Sequence, residues 1–325
     1  MSAWPIALAD VLAARERLRA HLPTTPLRSY AALDEAVGSG IRVLVKHENF
    51  QPTGAFKVRN GLSALTALPP EALRRGVVAA TRGNHGLGLA WAGRRLGAPV
   101  TVCVPLGNNP EKNAAVRGLG ARLVEEGRDY DESVRAAERL VREEGLVLVH
   151  STNDATVVAG AGTLTLEMLE EAPGIEALVF SVGGGSQAVG GLTVARAMKP
   201  GLPVYAVQAA GASAIHDAWH LGRPVSKPSA DTFADGLATR NTYPFTFGAL
   251  REGLAGFVAA TDAEIAEALR LLVSTTHTLV EGAGAAGLAG LLKVREALAG
   301  RTVGIVLSGA NIDRETLGRV LAGEL

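Results

Sequence analysis

An α/β fold with doubly wound, mostly parallel sheets is what this sequence predicts, and three features predict it. Short apolar runs of strand length recur along the chain. Segments with apolar residues at helical spacing separate most of them. Several runs end in glycine-rich or small polar turns. Strands joined through helices need crossover connections, which make neighbouring strands parallel and cover both sheet faces.

In chain order, the strand-like runs are residues 43–47, 77–80, 100–104, 122–124, 146–149, 177–181, 204–208 and 303–307. Residues 133–144 and 262–273 are clear examples of the helical spacing between them. Residues 223–235 lack periodicity and read as a surface loop. There is no low-complexity linker and no internal repeat, and the last helical pattern leaves no expected room for an appended regulatory domain.

The 325 residues are 47% hydrophobic, enough to bury one large core or two modest ones. Basic and acidic side chains balance at 32 each, so charge gives no case for nucleic acid or an anionic membrane as a partner. Aromatic residues make up only 4%, which also argues against a base-stacking surface. The one cysteine, Cys103, sits in the apolar run VTVCVP and reads as a buried strand residue. The seven histidines show no metal-ligand spacing. No leader pattern opens the chain and no apolar run is long enough to span a bilayer, so a cytoplasmic enzyme is the expectation.

Open parallel sheets bind ligands beyond the carboxyl ends of their strands, and four turns lie there. The first is KHENFQPTGAFKVRNG, residues 46–61, with a helix expected to start near Thr53 or Gly54. Lys57 would then lie in the first helical turn, where the helix dipole disfavours a cation. A lysine there is either an exposed surface residue or an amine placed to form a Schiff base with an aldehyde. The second is TRGNHGLG, residues 81–88, either an ordinary helix-capping turn or a carboxylate site made of backbone N–H groups. The third is SVGGGSQAVGG, residues 181–191, where successive glycines let the backbone wrap a phosphate. No Walker lysine follows it. A dinucleotide reading has only G-x-G plus Ala188, with no acidic residue ending the next strand at Val207 and Gln208. The fourth is VLSGANID, residues 306–313, which sets Ser308 at a strand end.

Together and in this order, the four turns resemble the fold-type II pyridoxal-phosphate enzymes, in particular the threonine/serine dehydratase and serine racemase group. The resemblance runs from about Pro26 to Gly318. It implies two doubly wound domains of the tryptophan synthase β-like type. Residues 1–75 and 151–325 would form the large cofactor domain and 76–150 the small inserted one. It implies a homodimer, pyridoxal 5'-phosphate as cofactor and a small amino-acid substrate. Lys57 would carry the cofactor and act as the catalytic base, with Phe56 against the ring. Asn84 would meet the ring hydroxyl, Gly183, Gly184, Gly185 and Ser186 the phosphate, and Ser308 the pyridine nitrogen. Thr81, Gly83 and His85 would lie near the substrate carboxylate. The segments TFADG and VEGAGAAG add Asp235 and Glu281 near the substrate.

The implied reaction is β-elimination from L-threonine or L-serine to a 2-oxo acid and ammonia, with threo-3-hydroxyaspartate or another β-substituted amino acid as alternatives. A nicotinamide oxidoreductase using the 181–191 loop, or a non-catalytic cofactor-binding protein, are the readings from other classes. Four positions depart from the family pattern, one of them Ala310 in place of the second glycine of LSGGN, a packing change. Arg82 replaces a serine that racemases use as a base; arginine stays protonated, so racemisation is not expected, and Arg82 either contacts a substrate carboxylate, a distal one included, or points to solvent or pairs with a protein carboxylate. Ser186 replaces the last of four glycines. Gln208 stands where metal-activated members have a glutamate, and a neutral amide is a poor ligand for a hard cation, so no divalent metal is expected.

Overall fold

The computed structural model describes residues 4–325; residues 1–3, on which part of the leader expectation rests, lie outside it. Ten strands form two sheets: β1 Leu27–Ser29, β2 Arg42–His47, β3 Val77–Ala80, β4 Val100–Val104, β5 Arg122–Glu125, β6 Val147–Leu148, β7 Ala177–Ser181, β8 Val204–Ala209, β9 Gly256–Ala260 and β10 Thr302–Leu307. The larger sheet has the order β1-β2-β10-β7-β8-β9 and the smaller β5-β4-β3-β6. All pairings are parallel except β1 with β2. Strands β1 and β9 are additions to the sequence reading, and both lie at edges of the larger sheet.

Alternation along β7 shows how the larger sheet is held. Leu178 and Phe180 face a core with Leu164, Met168 and Leu192, from the helices Ala155–Glu171 and Ser186–Met198. Ala177 and Val179 face the other side, against Leu269 and Leu288 of the helices Asp262–Thr276 and Gly282–Val294. Two buried faces explain why the strands read as continuous apolar runs. The buried Cys103 lies inside β4.

The strands of the smaller sheet span residues 77–148, yet its core draws on other parts of the chain. Val58, Leu62 and Leu65 of the helix Lys57–Ala67 join Val77, Val102 and Leu89 in one cluster. Each of these large side chains contributes about 1.5–3 kcal/mol when fully buried. The helix that begins at Lys57 therefore packs against the helix Asn84–Leu96, and the two backbones touch. A Cβ on Gly61 would come within 2.6 Å of the Gly88 carbonyl oxygen. Glycine at this crossing lets the starts of the two helices, Lys57 and Asn84, share one cleft.

Candidate functional site

Strand β2 leads through a 3-10 turn, Glu48–Phe50, into an irregular segment that ends at Phe56. The helix starts at Lys57, later than the expected Thr53 or Gly54. The reason is a tie across the sheet edge: Ala55 bridges Gly309, and the Phe56 N–H donates to the Ser308 carbonyl at 2.9 Å. That tie takes the N–H an earlier helix start would have used. Lys57 becomes the first helical residue, with no acidic neighbour in its turn. Its Nζ lies 3.2 Å from Ser186 Oγ and 4.7 Å from the centre of the Phe56 ring. Burial pushes its amine down to about 8, within reach of the neutral, nucleophilic form.

After β7 the chain turns through Gly183, Gly184 and Gly185 into the helix Ser186–Met198, which has no side-chain cap. Gly185 has φ +99, a conformation that favours glycine. Thr239 Oγ1 donates to the Gly183 carbonyl at 3.2 Å, and Thr246 Oγ1 to the Gly184 carbonyl at 2.9 Å. A Cβ on Gly184 would collide with Thr152 Oγ1. The loop carbonyls are thus occupied by hydroxyls, while the first N–H groups of the helix have no intrahelical acceptor. Such a helix start attracts a phosphate through its N–H groups and its dipole.

At the end of β3, Thr81, Arg82 and Gly83 lead into the helix Asn84–Leu96. Gly83 N–H donates to Thr81 Oγ1 at 3.0 Å, which tightens the turn. Asn84 is held from both ends: its Nδ2 donates to Glu281 Oε1 at 2.6 Å, and its Oδ1 accepts from Asn311 Nδ2 at 2.7 Å. The His85 ring is buried with Nε2 3.1 Å from the Val149 carbonyl. Burial, with the nearby Lys57 charge, pushes its pKa down to about 3, so the ring is neutral at pH 7.

Glu281 stands just before the helix Gly282–Val294 without a capping bond to it, and is pushed up to about 7 by burial, against the pull of Lys112 and Asn84. Its folded pKa lies above the unfolded value, so the stability it contributes is fully present below about 4.5 and is lost as pH rises through about 7. Denaturant titrations of cofactor-free Glu281→Gln and the wild type will therefore diverge across this window: the wild type loses stability relative to the variant as pH rises. Parallel curves would mean that Glu281 does not titrate there.

These turns converge. Phe56, Lys57, Thr81, Arg82, Gly83, Asn84, His85, Gly183, Gly184, Gly185, Ser186, Asp235, Glu281 and Ser308 all line one cavity of about 120 Å³. Asp235 pairs with Lys112 Nζ at 2.7 Å across the cavity wall. Residues 223–235 carry little regular structure, in keeping with the loop read there, but they deliver Asp235 to the site. Lys112, Tyr130, Thr152, Gln187, Thr239 and Tyr243 also line the cavity and were not singled out by sequence. Lys112 carried the signal that marked Lys57, a cation in the first turn of a helix. Gln208 Oε1 accepts the N–H groups of Ile215 and His216 at 3.1 and 2.9 Å, and so holds the start of the helix Ala214–Leu221.

The donor set fits a phosphate-bearing aldehyde: a desolvated amine, an uncapped helix start lined by glycine, and at the wall a buried Gln187 Nε2 that has no protein partner. A dinucleotide would leave Lys57 and Ser308, in the same cavity, without a role.

The chain is similar to known proteins over nearly its whole length. It is 39% identical to the L-threonine ammonia-lyase of Geobacter sulfurreducens, over 95% of this chain and 76% of that protein. It is 30% identical to the L-threo-3-hydroxyaspartate ammonia-lyase of Saccharomyces cerevisiae, over 97% of this chain and 96% of that one. Among solved structures, the serine racemase of maize superposes with a TM-score of 0.92 at 27% identity, covering 99% of this chain and 98% of the other. Residues 18–309 match the family described as pyridoxal-phosphate dependent enzyme, and the chain belongs to that family, with its fold-type II architecture.

Proposed function

We propose that the protein is a pyridoxal-phosphate dependent ammonia-lyase that converts a small β-hydroxy-amino acid, L-threonine or L-serine, to a 2-oxo acid and ammonia. The observation that carries this reading is the Lys57 amine, 3.2 Å from Ser186 Oγ, in the cavity that also holds the glycine loop and the Thr81 turn. The threonine and hydroxyaspartate ammonia-lyases among the similar proteins support it.

When bound, the cofactor supplies an electron sink that acidifies the α-hydrogen of the substrate. The other roles fall to the chain. Lys57 and Phe56 hold the cofactor at its aldehyde and ring. Gly183, Gly184, Gly185 and Ser186 hold its phosphate through backbone N–H groups and the serine hydroxyl. Asn84, fixed by Glu281 and Asn311, presents its amide to the ring hydroxyl. Ser308 would meet the pyridine nitrogen with a neutral hydroxyl rather than a carboxylate. Thr81, Gly83 and the start of the helix Asn84–Leu96 hold the substrate carboxylate. Lys57 removes the α-proton, and its depressed pKa leaves a fraction of the amine free to do so near neutral pH. No base stands at residue 82 to return a proton on the opposite face, since arginine stays protonated, and elimination is favoured over racemisation.

The proposal includes residues 76–150 as a smaller unit inserted into the larger one and a cytoplasmic homodimer, which sedimentation of the purified protein measures. Among the described residues no helix is long and apolar enough to cross a membrane. The test of function is direct. The purified protein, supplied with cofactor, should show a visible absorbance band and form 2-oxo acid from L-threonine or L-serine. A band with no product from any hydroxy-amino acid would point to a non-catalytic binding protein. Absence of the band would remove the cofactor assignment.

A further inference from the structure

The main cavity has a second chamber. Arg82, Tyr130, Ala238 and Thr239 line both the main cavity and a side chamber of about 230 Å³ that Asp129 and Arg240 also line. Arg240 is engaged there, its guanidinium 2.9 Å from Asp129 Oδ2, so that pair adds little net charge to the wall. Arg82 is different. Its side chain is exposed to both spaces, and among the described residues it makes no hydrogen bond or ion pair. Among the described residues that line the chamber, one cation is therefore surplus, and it lies where the chamber meets the reaction cavity.

The anions that the main cavity must hold already have partners without Arg82. A phosphate has the glycine loop and the start of the helix Ser186–Met198. A substrate α-carboxylate has the backbone N–H groups of the turn at residues 81–85, and the Arg82 side chain, which lines both spaces, is not needed for it. Lys112, the other cation near the mouth, is spent on Asp235 at 2.7 Å. A guanidinium is a rigid fork matched to a carboxylate, so a pair between the two is directional. The methyl group of threonine would use none of this.

We propose that the side chamber is a subsite for an anionic β-substituent and that Arg82 binds its carboxylate, which makes β-hydroxy amino dicarboxylic acids of the 3-hydroxyaspartate type the preferred substrate class. The inference rests on the elimination reading above, with the same bonds broken: the α-hydrogen and β-hydroxyl leave, and Arg82 takes no part in proton transfer. Arg82 is a specificity determinant.

The experiment compares kcat/KM for 3-hydroxyaspartate, O-phospho-L-serine, L-threonine and L-serine in the cofactor-loaded wild type and in Arg82→Met. Calorimetric binding of succinate and of butyrate to both proteins gives a readout independent of turnover. The expected result is a wild type that prefers 3-hydroxyaspartate. In the variant, the ratio of 3-hydroxyaspartate to threonine kcat/KM falls by about 10–100-fold, the usual effect of losing a hydrogen bond to a charged group. The loss falls mainly in KM, and succinate binding weakens relative to butyrate. If Arg82→Met does not fold, Arg82→Gln carries the same comparison. An unchanged ratio, a wild type that turns over threonine but not 3-hydroxyaspartate, or an Arg82-dependent preference for phosphoserine would overturn the inference and leave the elimination reading standing. No 2-oxo acid from any of the four, with cofactor bound, would instead overturn the elimination reading.

Discussion

Lys57→Ala will give a folded protein without the visible cofactor band and with turnover reduced by at least about 10⁴-fold, the upper end of what a positioned acid–base group supplies. The direction follows from where the lysine sits. On the function proposed above, its amine is the nucleophile of the cavity, held 3.2 Å from Ser186 Oγ and 4.7 Å from the Phe56 ring centre. Alanine can neither capture an aldehyde nor remove a proton. Folding is not the reason for the loss. Lys57 is the first residue of its helix, with its charge near the positive end of the dipole and no acidic residue in the turn. Removing that charge relieves about 0.3–1 kcal/mol of unfavourable interaction, and burial pushes the amine down to about 8, so the cation is already disfavoured there. The cofactor-free variant should melt at or slightly above the temperature of the cofactor-free wild type. The pH dependence has the matching sign. The wild-type amine becomes neutral as pH rises through about 8, so cofactor capture by cofactor-free protein should accelerate over that range. A Lys57→Ala protein that keeps both band and turnover would end the assignment.

How much of this was legible in sequence can be judged from particular residues. The strands of both sheet interiors could be read because burial on two faces forces unbroken apolar runs, as in VTVCV of β4 and ALVFS of β7. The two edge strands of the larger sheet could not. β1 is three residues, LRS, paired on one side only and largely exposed, and β9 begins at a glycine and alternates irregularly between buried and half-buried. The start of the Lys57 helix was misplaced because Thr53 and Gly54 have the local chemistry of a helix start, while the bridge from Ala55 to Gly309 is a long-range contact with no local signature. The same distinction separates the site residues. Those at strand ends, such as Ser308 and Gly183, follow from one rule about parallel sheets. Tyr130, Thr152, Thr239 and Tyr243 reach the cavity only through the folding of distant segments. Chemistry could be read where a local pattern and a strand end coincide.

Arg59→Met will destabilise the protein by about 3–5 kcal/mol, the cost of leaving buried carboxylates without their cation. Arg59 lies two residues beyond Lys57 on the same helix and is 2% exposed. Its Nε and Nη2 donate to the two oxygens of Glu48 at 2.8 Å each, and its Nη1 and Nη2 to those of Glu167 at 2.6 and 2.8 Å. Lys46, also fully buried, adds a contact to Glu167 at 2.6 Å. Two cations and two carboxylates balance, so the cluster is neutral while intact. Burial pushes Glu48 up, but the Arg59 guanidinium beside it, with hydrogen bonds from Arg59 and Thr25, holds the carboxyl below its usual range. By linkage, Glu48 contributes stability above about pH 4.5 that is lost as pH falls below it. Methionine fills similar volume but supplies no donor, so Glu48 must either stay charged in an apolar place or take up a proton. The variant should show a lower urea midpoint, and its stability deficit should shrink as pH falls below about 4.5, where the Glu48 contribution to the wild type begins to decline. A deficit below about 1 kcal/mol at pH 7, the range of an exposed pair, would mean that the cluster adds no more than a surface ion pair does. The deficit would also reach the chemistry. The cluster joins β2, the helix that starts at Lys57 and the helix Ala155–Glu171, so it fixes the base of the element that carries the reactive amine. The fraction of Arg59→Met that remains folded should bind cofactor more weakly than the wild type, whereas Lys57→Ala leaves this cluster intact. The two variants separate the chemistry of the lysine from the rigidity of its platform.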